Sequence, residues 1–433
     1  METQSVQGVP GSPCLPPRDN GEMHLAALDG IRGVAILGVL CCHISEFFWF
    51  LDKKWRTVPA IFHCGWAGVD LFFVLSGFLI TGILWDNRGS PHYFRNFYGR
   101  RVLRLMPLYY GILIVIFVLL PMTLPWIAGQ SPLISPARAE IMALKHASSQ
   151  WPWYFSYMLN FWIASRPDPT FPGHLWSLSV EEHFYLIWPV LMNRLKHTTM
   201  MITSGAIIIG ALLVRWCLIN RIDFQAIYVL TPCRIDSIAF GALVALLFRR
   251  SGGPAFLTAA AKYCLPISCV VCCIIAALSK GWGADTPLSA TLGYTFQSIF
   301  FASILVFAIT QKFWAAIFSN SVLRFFGKYS YGIYVLHVLI FRYTSGIFRL
   351  GRAGHFSLLS LGWASPFRSA ASISTLASFL DGVVFIIVSV CLTVGAALLS
   401  WRILELPSLR LKRFFPNEPR HSRELALELN AAS

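Results

Sequence analysis

Leu28-Asp29-Gly30-Ile31-Arg32-Gly33-Val34-Ala35-Ile36-Leu37-Gly38-Val39-Leu40-Cys41-Cys42-His43 is apolar enough to cross a bilayer, yet it carries Arg32 and His43. The two are eleven residues apart. At about 3.6 residues per turn they share nearly one helix face, about 16 Å from each other. Ionisable side chains inside a membrane helix are costly and mark functional sites by default. Two on one face point to a polar path through the protein. The same pattern fits a pair that only bonds neighbouring helices.

The rest of the chain carries the membrane reading further. Hydrophobic residues make up 56% and charged residues 13% of the sequence. A soluble chain carries about twice that charged share. About ten segments are apolar over the ~18 residues that a span needs, near 25–50, 65–86, 104–123, 177–194, 200–219, 232–249, 263–279, 288–311, 329–348 and 378–402. They are continuous rather than alternating, so helices and not barrel strands satisfy the backbone in lipid. The predicted fold is an all-α integral membrane protein with about ten transmembrane helices in one bundle. A polar segment over 1–24 precedes the transmembrane domain over 25–405, and a short tail over 406–433 follows it.

The net charge of +15 does not imply nucleic acid. It sits in short loops beside the spans, the positive-inside pattern. Arg88, Arg95, Arg100, Arg101 and Arg104 precede the third span, and Arg410, Lys412 and Arg413 follow the last. With ten spans, these fall on the side of the N-terminus, so both termini read as cytoplasmic. The ninth loop, with Arg342, Arg349, Arg352 and Arg368, runs against the pattern. The first residues lack the layout of a cleaved signal peptide. Of the eleven cysteines, most lie in apolar spans. Cys269 and Cys272 have no nearby His or acid and read as packing, so no metal site is expected. The external segment from Leu124 to Trp176 is rich in Pro and aromatics. Interfacial seating explains these, and an acceptor-binding loop is the alternative.

Four constellations could carry chemistry. The first is Arg32 with His43, a histidine suited to proton transfer. The second surrounds Asp70 in Gly65–Phe78, where small residues permit close helix packing and Asp70 needs a partner, for which Arg32 is a candidate. The third pairs Arg101 and Arg104 on one helix face. Paired guanidiniums suit phosphates, whether of a cytosolic donor or of lipid head groups. The fourth is His174 to Leu186, where Ser177, Glu181 and Tyr185 recur at intervals of four and share a face. Two weaker groups follow. Arg234 and Asp236 read as a local ion pair. Ser330, Tyr334 and His337 line one face, with His337 read as a satisfied buried histidine.

In this order the residues resemble the acyltransferase-3 family of membrane O-acyltransferases. The likeness runs from Leu28 to Pro407. Its landmarks are Leu28–Gly33 with His43, Gly68–Phe78, Arg101 and Arg104 with Pro107, His174–Glu181, Arg234-Ile235-Asp236 with Gly241, Tyr329–Tyr334 with His337, and Glu405-Leu406-Pro407. The resemblance implies an acyl-CoA donor, with acetyl expected, and transfer of the acyl group to a hydroxyl, commonly of a sugar. Acyl-CoA is then a substrate, and no bound cofactor is expected. The resemblance carries essential roles to Arg32, His43, Arg101 and Arg104, and a lesser one to Glu181. Arg101 and Arg104 would hold the CoA phosphates. His43 would act as base on the acceptor, or take the acyl group covalently. Asp70 or Glu181 would orient a cation in the site. Some members carry a fused extracytoplasmic esterase-like domain, and this chain reads as the stand-alone form. The expected setting is a bacterial inner membrane, with lipopolysaccharide, exopolysaccharide or another envelope glycan as acceptor. The rival classes are a transporter or flippase without chemistry, and a non-enzymatic partner in polysaccharide assembly. Consumption of acyl-CoA separates them.

Overall fold

The computed structural model describes residues 18–45, 62–123, 149–166, 171–279, 281–350 and 371–417. The start of the N-terminal segment, most of the external segment before residue 149, Arg352 and Arg368 of the ninth loop, and the tail beyond 417 lie outside the described residues. Ten long helices follow in order. They are α1 (Arg18–Ser45), α2 (Gly68–Asp86), α3 (Tyr93–Ile114), α4 (Trp176–Arg194), α5 (His197–Leu218), α6 (Thr231–Phe248), α7 (Gly253–Leu278), α8 (Tyr294–Thr310), α9 (Ser330–Leu350) and α10 (Ala371–Ser400). Among the described residues there is no strand.

Eight helical segments of the described residues are long and apolar enough to cross a membrane. They coincide with all the predicted spans except the fourth and ninth, where α4 and α9 stand. α4 is more polar than a lipid-facing helix because it carries Glu181, Glu182 and Arg194. Burial sorts the eight. Of the most apolar windows, 67% is buried in Cys64–Asp86 and 72% in Phe224–Phe248, against 17% in α5 and in α7. α2 and α6, with α8 at 67%, are therefore the most buried of the eight. α5 and α7 turn Ile202, Leu213, Val270 and Ile274 outward. That much apolar surface fits lipid contact and not water.

α2 and α6 meet where neither has a side chain. A Cβ at Gly77 would run into the Ile238 carbonyl, and one at Gly241 into the Val74 carbonyl. This small-residue contact lets two backbones touch, which is how helices associate where lipid removes the hydrophobic drive. Gly241→Leu is expected to cost about 1–3 kcal/mol or more through overpacking. A falling thermal midpoint in detergent checks this. Gly210→Leu is the control, because a Cβ there meets nothing within 4 Å.

The described part of the Pro- and aromatic-rich segment before α4 is partly buried against the helices. Of two short helices, Trp151–Phe155 folds back onto α3 and Leu159–Ser165 packs against the short helix Phe224–Val229 and α4. Tyr109 and Tyr110 donate to the carbonyls of Tyr154 and Phe155 at 2.8 and 3.1 Å. Tyr154 is fully buried, while Trp151 remains 53% exposed. The tyrosine hydroxyls satisfy chain turns that could not otherwise be buried.

Candidate active site

A cavity of about 260 Å³ opens between α1, α2, α3, α4 and α9. Helical periodicity decides what faces it. Arg101 and Arg104 are three apart on α3, and Ser177, Glu181 and Tyr185 are four apart on α4. All five line the cavity together with Arg32 of α1.

One end is a cluster of cations made by Arg100, Arg101, Arg104 and Lys412. The arrangement depends on the chain after α10. Arg100 Nη1 donates to the Phe415 carbonyl at 2.9 Å, and Asn96 Nδ2 donates to the Pro416 carbonyl at 2.8 Å. The Phe415 ring lies over Gly99, where a Cβ would meet it, and under the Arg95 guanidinium. Residues 411–417 are thus strapped along α3, and Lys412 joins the arginines. Among the described residues none of these four cations has a carboxylate at ion-pair distance. Net positive charge at a cavity mouth attracts an anion. Arg101 also lies over the Tyr185 ring at 5.4 Å, which holds the guanidinium plane. Lys412 escaped the sequence reading. Its only signal was a basic run that equally marks positive-inside topology.

The middle of the cavity is a hydroxyl relay. Ser76 and Tyr185 hydroxyls are 2.5 Å apart, and Tyr185 donates to Glu181 Oε2 at 2.8 Å. Arg32 reaches the same space while its Nη1 donates to Asp29 at 2.7 Å. The far end is closed by Ser177 and Tyr334, whose hydroxyls are 2.5 Å apart, and Tyr334 donates to the His174 carbonyl at 2.8 Å.

His43 is not on the cavity lining. It lies beyond Tyr334, partly exposed, with two more imidazoles against it. The ring centroids of His43 and His337 are 4.7 Å apart, those of His174 and His337 4.9 Å, and those of His43 and His174 6.2 Å. His43 Nδ1 is 3.1 Å from the Val39 carbonyl. A carbonyl only accepts, so Nδ1 carries the proton and the neutral ring keeps its lone pair on Nε2. The expectation for His337 changes. Its Nδ1 is satisfied by the Tyr334 carbonyl at 2.6 Å, but its Nε2 has no partner among the described residues.

Two pairings differ from the sequence reading. Asp70 does not meet Arg32. It accepts from Arg234 Nη2 at 2.6 Å, from Ser237 at 2.7 Å and from Gln297. Arg234 and Asp236 are not a local pair either, since Asp236 pairs with Arg215 at 2.8 Å. Residues two apart on a helix point to different faces, so each finds a partner on another element. All four charged groups are fully buried, and Asp70 does not line the cavity. His183 also turns away and meets the Thr231 hydroxyl at 2.7 Å. Among the described residues no group of His, Cys, Asp and Glu is arranged to hold a metal ion.

Comparison with known proteins adds the following. The family profile described as an acyltransferase domain matches residues 25–402. A Staphylococcus aureus (strain COL) protein provisionally named an O-acetyltransferase is 29% identical over 335 residues, covering 74% of this chain and 51% of that protein. The O-acetyltransferase OatA of Staphylococcus aureus (strain NCTC 8325 / PS 47) is 28% identical over 355 residues, covering 76% of this chain and 52% of OatA. The chain spans about half the length of these curated relatives. No solved structure matches it.

Proposed function

This chain belongs to the acyltransferase-3 family, and from that we propose that it moves an acetyl or other short acyl group from acyl-CoA to a sugar hydroxyl. The acceptor is an envelope or secreted glycan, and the setting is a bacterial inner membrane with both termini cytoplasmic. One observation carries the donor half of the reading. A single cavity has unpaired cations at one end and buried hydroxyls leading towards imidazoles at the other. That is the charge pattern of a donor with a polyphosphate head and an uncharged thioester arm.

Arg100, Arg101, Arg104 and Lys412 bind the phosphates at the cytoplasmic mouth. The acyl-pantetheine arm runs past Arg32 and the Glu181–Tyr185–Ser76 relay. The Ser177–Tyr334 pair is the last barrier before the histidines. His43 Nε2 takes the proton of the acceptor hydroxyl as its oxygen attacks the thioester carbon. The carbon–oxygen bond forms, the carbon–sulfur bond breaks, and the proton passes on to the CoA thiolate.

Membranes holding the protein, fed with labelled acetyl-CoA and native glycan, test the reading. CoA release with label in the glycan supports it. No release with any short acyl-CoA turns the assignment towards a transporter. The mouth is tested separately. Arg104→Ala and Lys412→Ala are each expected to raise KM for the donor about tenfold, the equivalent of about 1.4 kcal/mol, with kcat nearly unchanged. Initial-rate kinetics at two salt concentrations check this, because added salt should shrink the difference.

A further inference from the structure

The three imidazoles behind Tyr334 come from three separate elements. His43 is on α1, His174 is in the short turn Gly173–Leu175 ahead of α4, and His337 is on α9. His337 is fully buried, and its ring stands edge-on to that of His43 at 82°. The Tyr334 and Ile333 carbonyls, at 2.6 and 3.2 Å, hold the proton on its Nδ1. This places the lone pair on Nε2, the same tautomer as at His43. His337 Nε2 has no hydrogen-bond partner among the described residues. Leaving a buried polar atom unpaired costs about 1–3 kcal/mol. Such an atom within a cluster of three imidazoles is more than packing requires, since Phe or Leu would fill the same space without that cost.

We propose that His337 is a positioning residue for the transfer, and that His43, His174 and His337 hold one proton as a unit. The role rests on the acyl-transfer reading above. When the acceptor O–H bond breaks, its proton arrives on His43 Nε2. The resulting imidazolium is stabilised by the free lone pair of His337 Nε2, with His174 packed against both. As the carbon–sulfur bond breaks, the proton returns through His43 to the thiolate, and the cluster ends neutral as it began. No other reactant is needed.

Two variants separate this role from packing. His337→Asn keeps an N–H for the Tyr334 carbonyl but has no basic nitrogen. His337→Phe keeps the aromatic contact made with Phe341 but has no lone pair. Both are measured against labelled acetyl-CoA in membranes, per amount of folded protein. The expected result is a loss in kcat of about tenfold or more, in line with proton-transfer contributions, with donor KM unchanged. In a His43→Ala background the same changes should cost nothing further, because the unit has already lost the group it serves. Wild-type kcat in His337→Asn overturns the proposal. So does a loss of the same size in both backgrounds, which would be a packing effect. Wild-type membranes that release no CoA overturn the acyl-transfer reading itself, and this role with it.

Discussion

His43→Ala should abolish nearly all transfer, with a loss of about 10²-fold or more if the imidazole is the general base. The donor KM should stay close to wild type, because the cations proposed to hold the phosphates line the cavity and His43 does not. The side chain is only partly buried, so alanine leaves no deep void and the variant should fold. Radiolabel entering native glycan, normalised to folded protein, is the measurement. Equal label from both proteins would keep the enzyme and remove His43 from its chemistry. His43→Gln places a polar group in the same space and should fail equally, since an amide takes no proton.

A second large effect is expected at Asp70, on stability rather than on chemistry. Asp70→Ala leaves the Arg234 guanidinium buried without its counter-ion, which costs about 3–5 kcal/mol. The Tyr294 and Tyr228 rings, at 4.1 and 4.9 Å from that guanidinium, recover only part of it. The amount of folded protein and the thermal midpoint in detergent should fall sharply. Removing both charges is the diagnostic. Asp70→Leu with Arg234→Met should be more stable than Asp70→Leu alone, and should retain acyl transfer. A stable double variant without activity would return Asp70 to the catalytic set.

The contrast between these two residues shows what was legible beforehand. Arg101 with Arg104, and Ser177 with Glu181 and Tyr185, could be grouped because three- and four-residue spacings fix a shared helix face, whereas of Arg32 and His43, eleven residues apart, Arg32 alone lines the cavity. The all-α membrane fold followed from runs of apolar residues. Periodicity does not say which helix stands opposite a face. The partner of Asp70 is 164 residues away, and Lys412 reaches the cavity only through hydrogen bonds spanning 315 and 320 residues. The three histidines likewise come together only once α1, α9 and the turn ahead of α4 are packed. α4 and α9 sit at predicted spans but are absent from the eight most lipid-like segments. Their inward faces hold the groups that line the cavity, and polar residues there lower the apolar signal.

The strap of residues 411–417 along α3 also sets an order of events during synthesis. At translation rates of about 5–20 residues per second, the tail follows α3 out of the ribosome by tens of seconds. Over that interval Arg100, Arg101 and Arg104 lack Lys412 and the Phe415 and Pro416 carbonyls. The cationic end of the cavity is therefore a late product of assembly, completed only when residues 411–417 pack along α3. A nascent chain arrested before residue 411 therefore lacks Lys412 and the carbonyls that hold Arg100 and Asn96.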